Sequence, residues 1–260
     1  MRVLSYSPRA WVSVMTLAGA LFLWFAATSL TGWINPVVFP TPSETWASLV
    51  QITTTGYADG RLDQHIVQSI KLVMLGFGTA AVIGMPLGLW MGRSRYAEAF
   101  FNPVFTLIRP IPPLAWIPLA IVWLGLGDAA KVMVIWMAAV VPVVINSFAG
   151  VRSIQPQLIE AAEMLGVQRG RFVREVMIPG ALPMIFTGLR LSLQSAWTTL
   201  VAGELIGSVR GLGHVLTQGS LDIFPSMILV AMLAVAFCGW LMTWALGWLE
   251  RRAMPWRTFL

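Results

Sequence analysis

Five long apolar runs and one interrupted run, separated by short polar stretches, set the plan of this chain. The first, residues 10–33, carries no charged side chain over 24 positions, enough for a helix to cross about 30 Å of hydrocarbon. Arg2 and Arg9 before it also suit a secretory signal peptide, but a signal's apolar stretch is only about 7–15 residues long, so the run is predicted as a spanning helix. Further spans are predicted over about 66–92, 99–125, 132–151, 184–208 and 223–249. Between the first two, residues 34–65 are polar and rich in Pro and Thr. There Pro40-Thr41-Pro42-Ser43 predicts a turn and helix cap before an amphipathic stretch, 44–52, lying along the outer surface.

Breakers inside the apolar runs sharpen this plan. In the third run Arg109-Pro110-Ile111-Pro112-Pro113-Leu114-Ala115-Trp116-Ile117-Pro118 removes backbone donors, so the helix must break there. In hydrocarbon the freed carbonyls need protein or water, which directs the break toward the interior or a cavity. Gly76-Phe77-Gly78-Thr79-Ala80-Ala81 mimics a dinucleotide-binding glycine pattern but has no strand before it and no acidic partner after it. Close packing of small residues against another helix accounts for it better. Pro142 and Asn146 lie in the fourth span, and Arg190, Gln194, Ser195, Thr198, Thr199 and Glu204 in the fifth. Gly125-Leu126-Gly127-Asp128 predicts an outer turn, and Arg210-Gly211-Leu212-Gly213-His214 opens an outer re-entrant or surface segment that runs to Asp222.

Composition agrees with a polytopic membrane protein: 57% of residues are hydrophobic and 11% charged, against roughly 25% charged in soluble domains. The net charge of +6 is spread in short clusters beside the apolar runs rather than over one face, which excludes a nucleic-acid reading and points to orientation and lipid contact. With the N-terminus inside, Arg2, Arg9, Arg93, Arg95, Arg152, Arg169, Arg171, Arg174, Arg251, Arg252 and Arg257 are cytoplasmic, eleven in all, against four outside, Arg61, Lys71, Lys131 and Arg210. The positive-inside rule therefore predicts both termini in the cytoplasm and the segment 152–183 with them. Lys71, near an outer helix end, can snorkel to the interface.

Little in the chain carries covalent chemistry. Gly125-Leu-Gly-Asp-Ala-Ala-Lys131-Val132 lacks the Gly before Lys and the Ser or Thr after it that a phosphate-binding loop needs, so no nucleotide-hydrolysing loop is read in this chain. His65, His214 and the single Cys238 predict no metal site, disulfide or catalytic triad, and the chain is read as a non-enzymatic protein with no cofactor of its own. Arg109 and Glu204 fall inside predicted spans, where an isolated charge costs about 2.5–3.5 kcal/mol on insertion scales. They are expected along a translocation path, with Glu204 as counter-charge or gate; snorkelling to the interface or a structural hydrogen-bond network is the alternative for each. Of the tryptophans, Trp123 and Trp136 fit interfacial belts, whereas Trp116 and Trp197, with Pro112, are candidates to line the path.

The polar segment 152–183 is the most distinctive. Pro156 suits a first helical turn, and Leu158, Ala161, Ala162 and Leu165 share one thin apolar face bordered by Glu160 and Glu163. Gly166 offers a stop, Arg169, Arg171 and Arg174 follow, and Pro179 and Pro183 are expected to bracket a turn. Glu160-Ala161-Ala162, three residues, Gly166, nine residues, then Val176-x-Ile178-Pro179 resembles the EAA loop of ABC importer permeases, with Val and Ile where Ile and Leu are usual. The run 109–118, Ile121-Val-Trp-Leu-Gly-Leu-Gly127, Gly188-Leu-Arg190, Ala202-Gly203-Glu204 and Gly211-Leu-Gly213 are similar to permeases of the nitrate, sulfonate and taurine importer group.

That resemblance implies an all-α membrane protein of six transmembrane helices in the MetI-like arrangement, in one permease domain over 1–260 in a bacterial inner membrane. It also implies a homodimer with one pore on its twofold axis, two copies of a cytoplasmic ATPase that binds ATP and Mg, and a periplasmic substrate-binding protein. Glu160, Ala161, Ala162, Leu165, Gly166 and Pro179 would couple the pore to the ATPase, and the cargo would be a small anion or zwitterion such as an organosulfonate. The rival reading is a secondary transporter or channel working without ATP, which usually shows internal repeats and several mid-membrane carboxylates; no repeat is evident and Glu204 is the one such acid. A membrane-embedded enzyme lacks a nucleophile, base or metal constellation.

Overall fold

The computed structural model describes residues 8–31, 35 and 38–256, except for the side chains of 8–10 and of Ile206. Of the charges counted above, Arg2 and Arg257 and the Arg9 side chain lie outside the described residues, as do residues 32–33 of the first predicted span. The described part is helical, its only extended pairing being an isolated bridge between Tyr57 and Gly60.

Helix α1 (Pro8–Phe25) runs on through a wide π-turn, Ala26–Leu30. Helix α2 (Pro42–Thr54) starts at a capping box: Thr41 Oγ1 accepts from the Glu44 amide at 3.2 Å while the Glu44 carboxylate accepts from the Thr41 amide at 2.8 Å. Helix α3 (Leu62–Arg93) is followed by α4 (Arg95–Ile108), capped by Ser94. A break and a 3-10 turn, Pro113–Trp116, then lead into α5 (Ile117–Leu124) and on to α6 (Asp128–Arg152). The short α7 (Pro156–Met164) precedes α8 (Arg169–Phe172), which passes through a π-turn, Val173–Met177, into α9 (Ile178–Gly207). Helices α10 (Leu212–Leu221) and α11 (Pro225–Ala253) complete the described chain. Among the described residues five helices are long and apolar enough to cross a membrane, and six if the bent pair on either side of residues 109–112 is one broken span. That pair turns by 89° where the proline cluster removes backbone donors.

The expected turn between Pro179 and Pro183 is not there. The helix runs unbroken from Arg169 to Leu205, because the π-turn shifts the register just before Pro179, so that Ile178 donates to the Val173 carbonyl. The wide turn thus carries the helix past Pro179, which has no N–H to place in the ladder.

The core is α3 on α6 and α6 on α9. Gly76, Ala80, Gly84, Gly88 and Gly92, one every fourth residue of α3, form a ridge of small residues. A methyl group at Gly76 would lie 2.5 Å from Ile135 Cγ2, at Gly84 3.1 Å from Val143 Cγ1, at Gly88 2.6 Å from Ser147 Cβ and at Gly92 2.5 Å from Val151 Cβ. The partners advance in step with the glycines, so α3 and α6 run parallel with backbones nearly touching. Gly150 and Gly188 do the same between α6 and the antiparallel α9. Pro142 leaves the turn before it short of a donor, and Ser192 of α9 donates to the neighbouring Ala139 carbonyl at 2.7 Å. At the other flank Arg190 of α9 pairs with the buried Glu250 of α11. Helices α3, α6 and α11 all end in arginine at one end of the bundle, where α8 begins; this is called the basic end below.

Candidate functional site

At the basic end, α7 is shaped by its two termini. Pro156 occupies the first turn, and the helix stops in a Schellman motif: Val167 N–H donates to the Ala162 carbonyl at 3.1 Å and Gly166 N–H to the Glu163 carbonyl at 3.0 Å. Gly166 has φ of +65°, and a side chain there would meet nothing within 4 Å, so backbone conformation and not space selects glycine. The apolar face does not act as one surface. Ala162 is buried against the rest of the chain, whereas Leu158, Met164 and Leu165 are 53%, 83% and 81% exposed. Glu160 and Glu163 form none of the ion pairs among the described residues. The outer side of α7 therefore offers three unpartnered apolar side chains beside a free carboxylate.

Pro179 is one element away, joined to α7 through Arg169–Met177, where Arg171 pairs with Glu175 at 3.1 Å.

The bend of the broken span holds three of the path candidates. Arg109 ends α4, its N–H donating to the Phe105 carbonyl at 2.9 Å; its side chain is exposed and, among the described residues, makes no ion pair. Pro112 is exposed beside it, and Trp116 is half-buried against a small cluster of Ile117, Ala120, Ala130 and Val134. Trp197 lies apart, 6% exposed within the main core, with its indole N–H unpartnered.

Glu204 is at the opposite end and does not meet Arg109. It is 1% exposed, and both carboxylate oxygens are engaged: Oε1 accepts from Ser69 Oγ at 2.8 Å and Oε2 from the Gly213 amide at 2.7 Å. Ser69 Oγ in turn accepts from the Leu212 amide at 2.9 Å, and the Gly211 amide donates to His65 Nδ1 at 3.1 Å, so His65 Nε2 carries the proton donated to the Tyr57 carbonyl at 3.0 Å. Three consecutive amides at the start of α10 are thus met by a histidine, a serine and a carboxylate, which also answers the positive end of that helix. Both glycines of Gly211-Leu-Gly213 are required: any Cβ at Gly211, φ +139°, would overlap the Glu204 carboxylate, and one at Gly213 would lie 2.6 Å from Glu204 Cβ. The structure thus places Glu204 in a buried hydrogen-bond network joining α3, α9 and α10.

His65, Ser69 and Gly213 did not figure among the sequence candidates. The sequence hints were the Gly211-Leu-Gly213 motif and the i, i+4 pair His65 and Ser69 on one face of α3. Close by, Tyr57 Oη donates to Asp222 at 2.5 Å, and burial followed by this contact raises the phenol's pKa. Arg93 is 24 positions along α3 from Ser69, about 36 Å of helix, so α7 and the Glu204 cluster are opposite ends of one device.

Residues 84–255 match the family described as binding-protein-dependent transport system inner membrane component. The chain is 37% identical to the taurine transport system permease protein TauC of Escherichia coli strain K12, over 94% of this chain and 89% of that protein. It is 31% identical to the bicarbonate transport system permease protein CmpB of Synechococcus elongatus, over 90% and 86%. To the putative aliphatic sulfonates transport permease protein SsuC of Bacillus subtilis strain 168 it is 30% identical, over 95% and 88%. In fold it is similar to a chain of the MetNI methionine ABC transporter solved facing inward, with TM-score 0.65 at 20% identity over 74% of this chain and 95% of that one. The chain belongs to the binding-protein-dependent transport system inner membrane components, the permeases of ABC importers.

Proposed function

We propose that this permease passes a small organosulfonate of the taurine type, delivered by a periplasmic binding protein, through a pore formed by two copies of the chain. The observation that carries the ATP-driven part is α7, a rigidly terminated helix with Leu158, Met164 and Leu165 bare on its outer side, in a chain with no nucleotide-binding loop. Such a surface suits the groove of a separate ATPase, two copies of which would bind ATP and Mg and do the hydrolysis that this subunit does not. Glu160, Ala161 and Leu165 would make the contact, buried Ala162 would seat the helix on its own chain, and Gly166 and Pro179 would transmit its movement to α9. The arginine count favours both termini in the cytoplasm, which puts the basic end beside that ATPase.

In the proposed cycle, closure of the ATPases draws the two α7 helices together and opens the pore outward; hydrolysis returns it inward. Arg109, Pro112 and Trp116 at the bend would face the path, where a guanidinium favours a sulfonate passing by. Trp197 and Glu204, being packed inside, would hold the helices that move rather than touch cargo. The sulfonate reading rests on the names of the taurine and aliphatic-sulfonate relatives; bicarbonate in a third keeps the class to small anions and zwitterions.

The test is a pulldown of the tagged chain from detergent-solubilised native membranes, with co-purifying proteins identified by mass spectrometry. An ATPase retained by the wild-type chain and lost with Glu160→Lys supports the coupling role. A chain that purifies alone and still moves solute in vesicles without ATP overturns it.

A further inference from the structure

Behind α7, between it and the ends of α3, α6 and α8, lies an open cleft of about 630 Å³. Three arginines line it, Arg93 closing α3, Arg152 closing α6 and Arg169 opening α8, against one carboxylate, Glu163. Arg152 is matched by Glu98, but Arg93 and Arg169 have no acidic partner among the described residues. The Arg93 guanidinium lies over the Phe172 ring, 5.7 Å from its centre, within cation–π range. The cleft lies at the ends of two helices long and apolar enough to span a membrane, and its lining mixes the three arginines with apolar side chains, Phe172 and Ala162 among them.

We propose that this cleft binds a phosphate-bearing anion, with Arg93 and Arg169 gripping the phosphate oxygens and the apolar side chains receiving what is attached to it. Two planar guanidiniums free of carboxylates match phosphate geometry, which accepts paired N–H donors. A phospholipid headgroup from the facing leaflet and a soluble phosphate compound share this chemistry; basic pockets between spanning helices at a membrane surface are suited to the former. Because Ala162 and Glu163 belong to α7, an occupant would brace that helix from behind, on the side away from its exposed apolar residues.

The experiment uses the purified transporter complex, delipidated and returned to nanodiscs of phosphatidylglycerol or phosphatidylcholine, with bound lipid read by native mass spectrometry. Wild-type protein is expected to retain phosphatidylglycerol preferentially, and R93Q/R169Q to lose that preference by on the order of tenfold, with R93K/R169K restoring part of it. In parallel, modification of wild-type Arg93 and Arg169 by phenylglyoxal, read by peptide mass, needs no variant to insert. Protection by phosphatidylglycerol identifies a lipid site, and protection by millimolar inorganic phosphate alone a soluble one; either supports the proposal. No protection by either, or protection only by the partner ATPase, overturns it.

Discussion

Glu204 shows how much one buried side chain can hold. Its two oxygens take a hydroxyl from α3 and an amide from α10, and it does so from α9, so three elements meet on one carboxylate. Replacing it by Gln keeps the shape but leaves one acceptor where there were two, so the Ser69 hydroxyl or the Gly213 amide loses its acceptor. An unsatisfied buried donor costs about 1–3 kcal/mol, so Glu204→Gln is expected to lower the unfolding temperature in detergent while the protein still inserts. Gly211→Ala, which forces a methyl group into the carboxylate at a φ of +139°, is expected to do more damage and to reduce the amount of folded protein recovered. An unchanged unfolding temperature in Glu204→Gln would remove the clamp from the account. His214, on the same short helix, has its Nε2 buried without a partner, and burial, then neighbouring His65, lowers its pKa. The folded protein therefore resists a proton that the unfolded chain accepts below about pH 6.5, so this contribution is full above that pH and fades as pH falls. Thermal unfolding followed from pH 7.5 to pH 5 should show that decline for wild type, and a flatter profile for His214→Gln.

Single elements carry the next level. The small-residue ridge of α3 lets two spanning helices approach until side chains on α6 rest on the α3 backbone, which is how helices associate where solvent gives no hydrophobic drive. Gly84→Leu would have to push Val143 and Val144 aside and is expected to cost at least about 1–3 kcal/mol; loss of folded monodisperse protein on gel filtration would show it, and normal behaviour would contradict the packing. The stop at Gly166 is equally specific. Proline there has the wrong φ and lacks the N–H that bonds the Glu163 carbonyl, so Gly166→Pro is expected to insert normally yet fail to couple, read as ATP hydrolysis that no longer responds to loaded binding protein. These elements also mark what the sequence made legible. The spans follow from apolar length, the broken third one from its proline cluster, and the stop of α7 from a lone glycine after a helical run. The continuity of Arg169 through Leu205 was hidden, because a π-turn absorbs Pro179 and nothing in local propensity announces a register shift. The split face of α7 was hidden too, since spacing groups Ala162 with Leu158 and Leu165 and only packing on its own chain separates them.

At the scale of the molecule, the partners of Glu204 explain why a span carboxylate invites a pore role when read along the chain. Ser69 is 135 positions away and the other partner is the Gly213 backbone amide, which no side-chain pattern records. The resulting architecture is a three-helix core, α3, α6 and α9, with the Glu204 cluster joining α3, α9 and α10 at one end and α7 at the other. A displacement applied at α7 would pass through the short link at residues 165–168 into a helix continuous from Arg169 to Leu205, and this is the route the proposed coupling would use. The most direct measurement is uptake of radiolabelled taurine into proteoliposomes holding the chain, its ATPase and its binding protein, with ATP on the ATPase side. The account predicts uptake that requires ATP and the binding protein and is lost with Gly166→Pro, whereas uptake of the same rate without ATP, or undiminished in that variant, would contradict it.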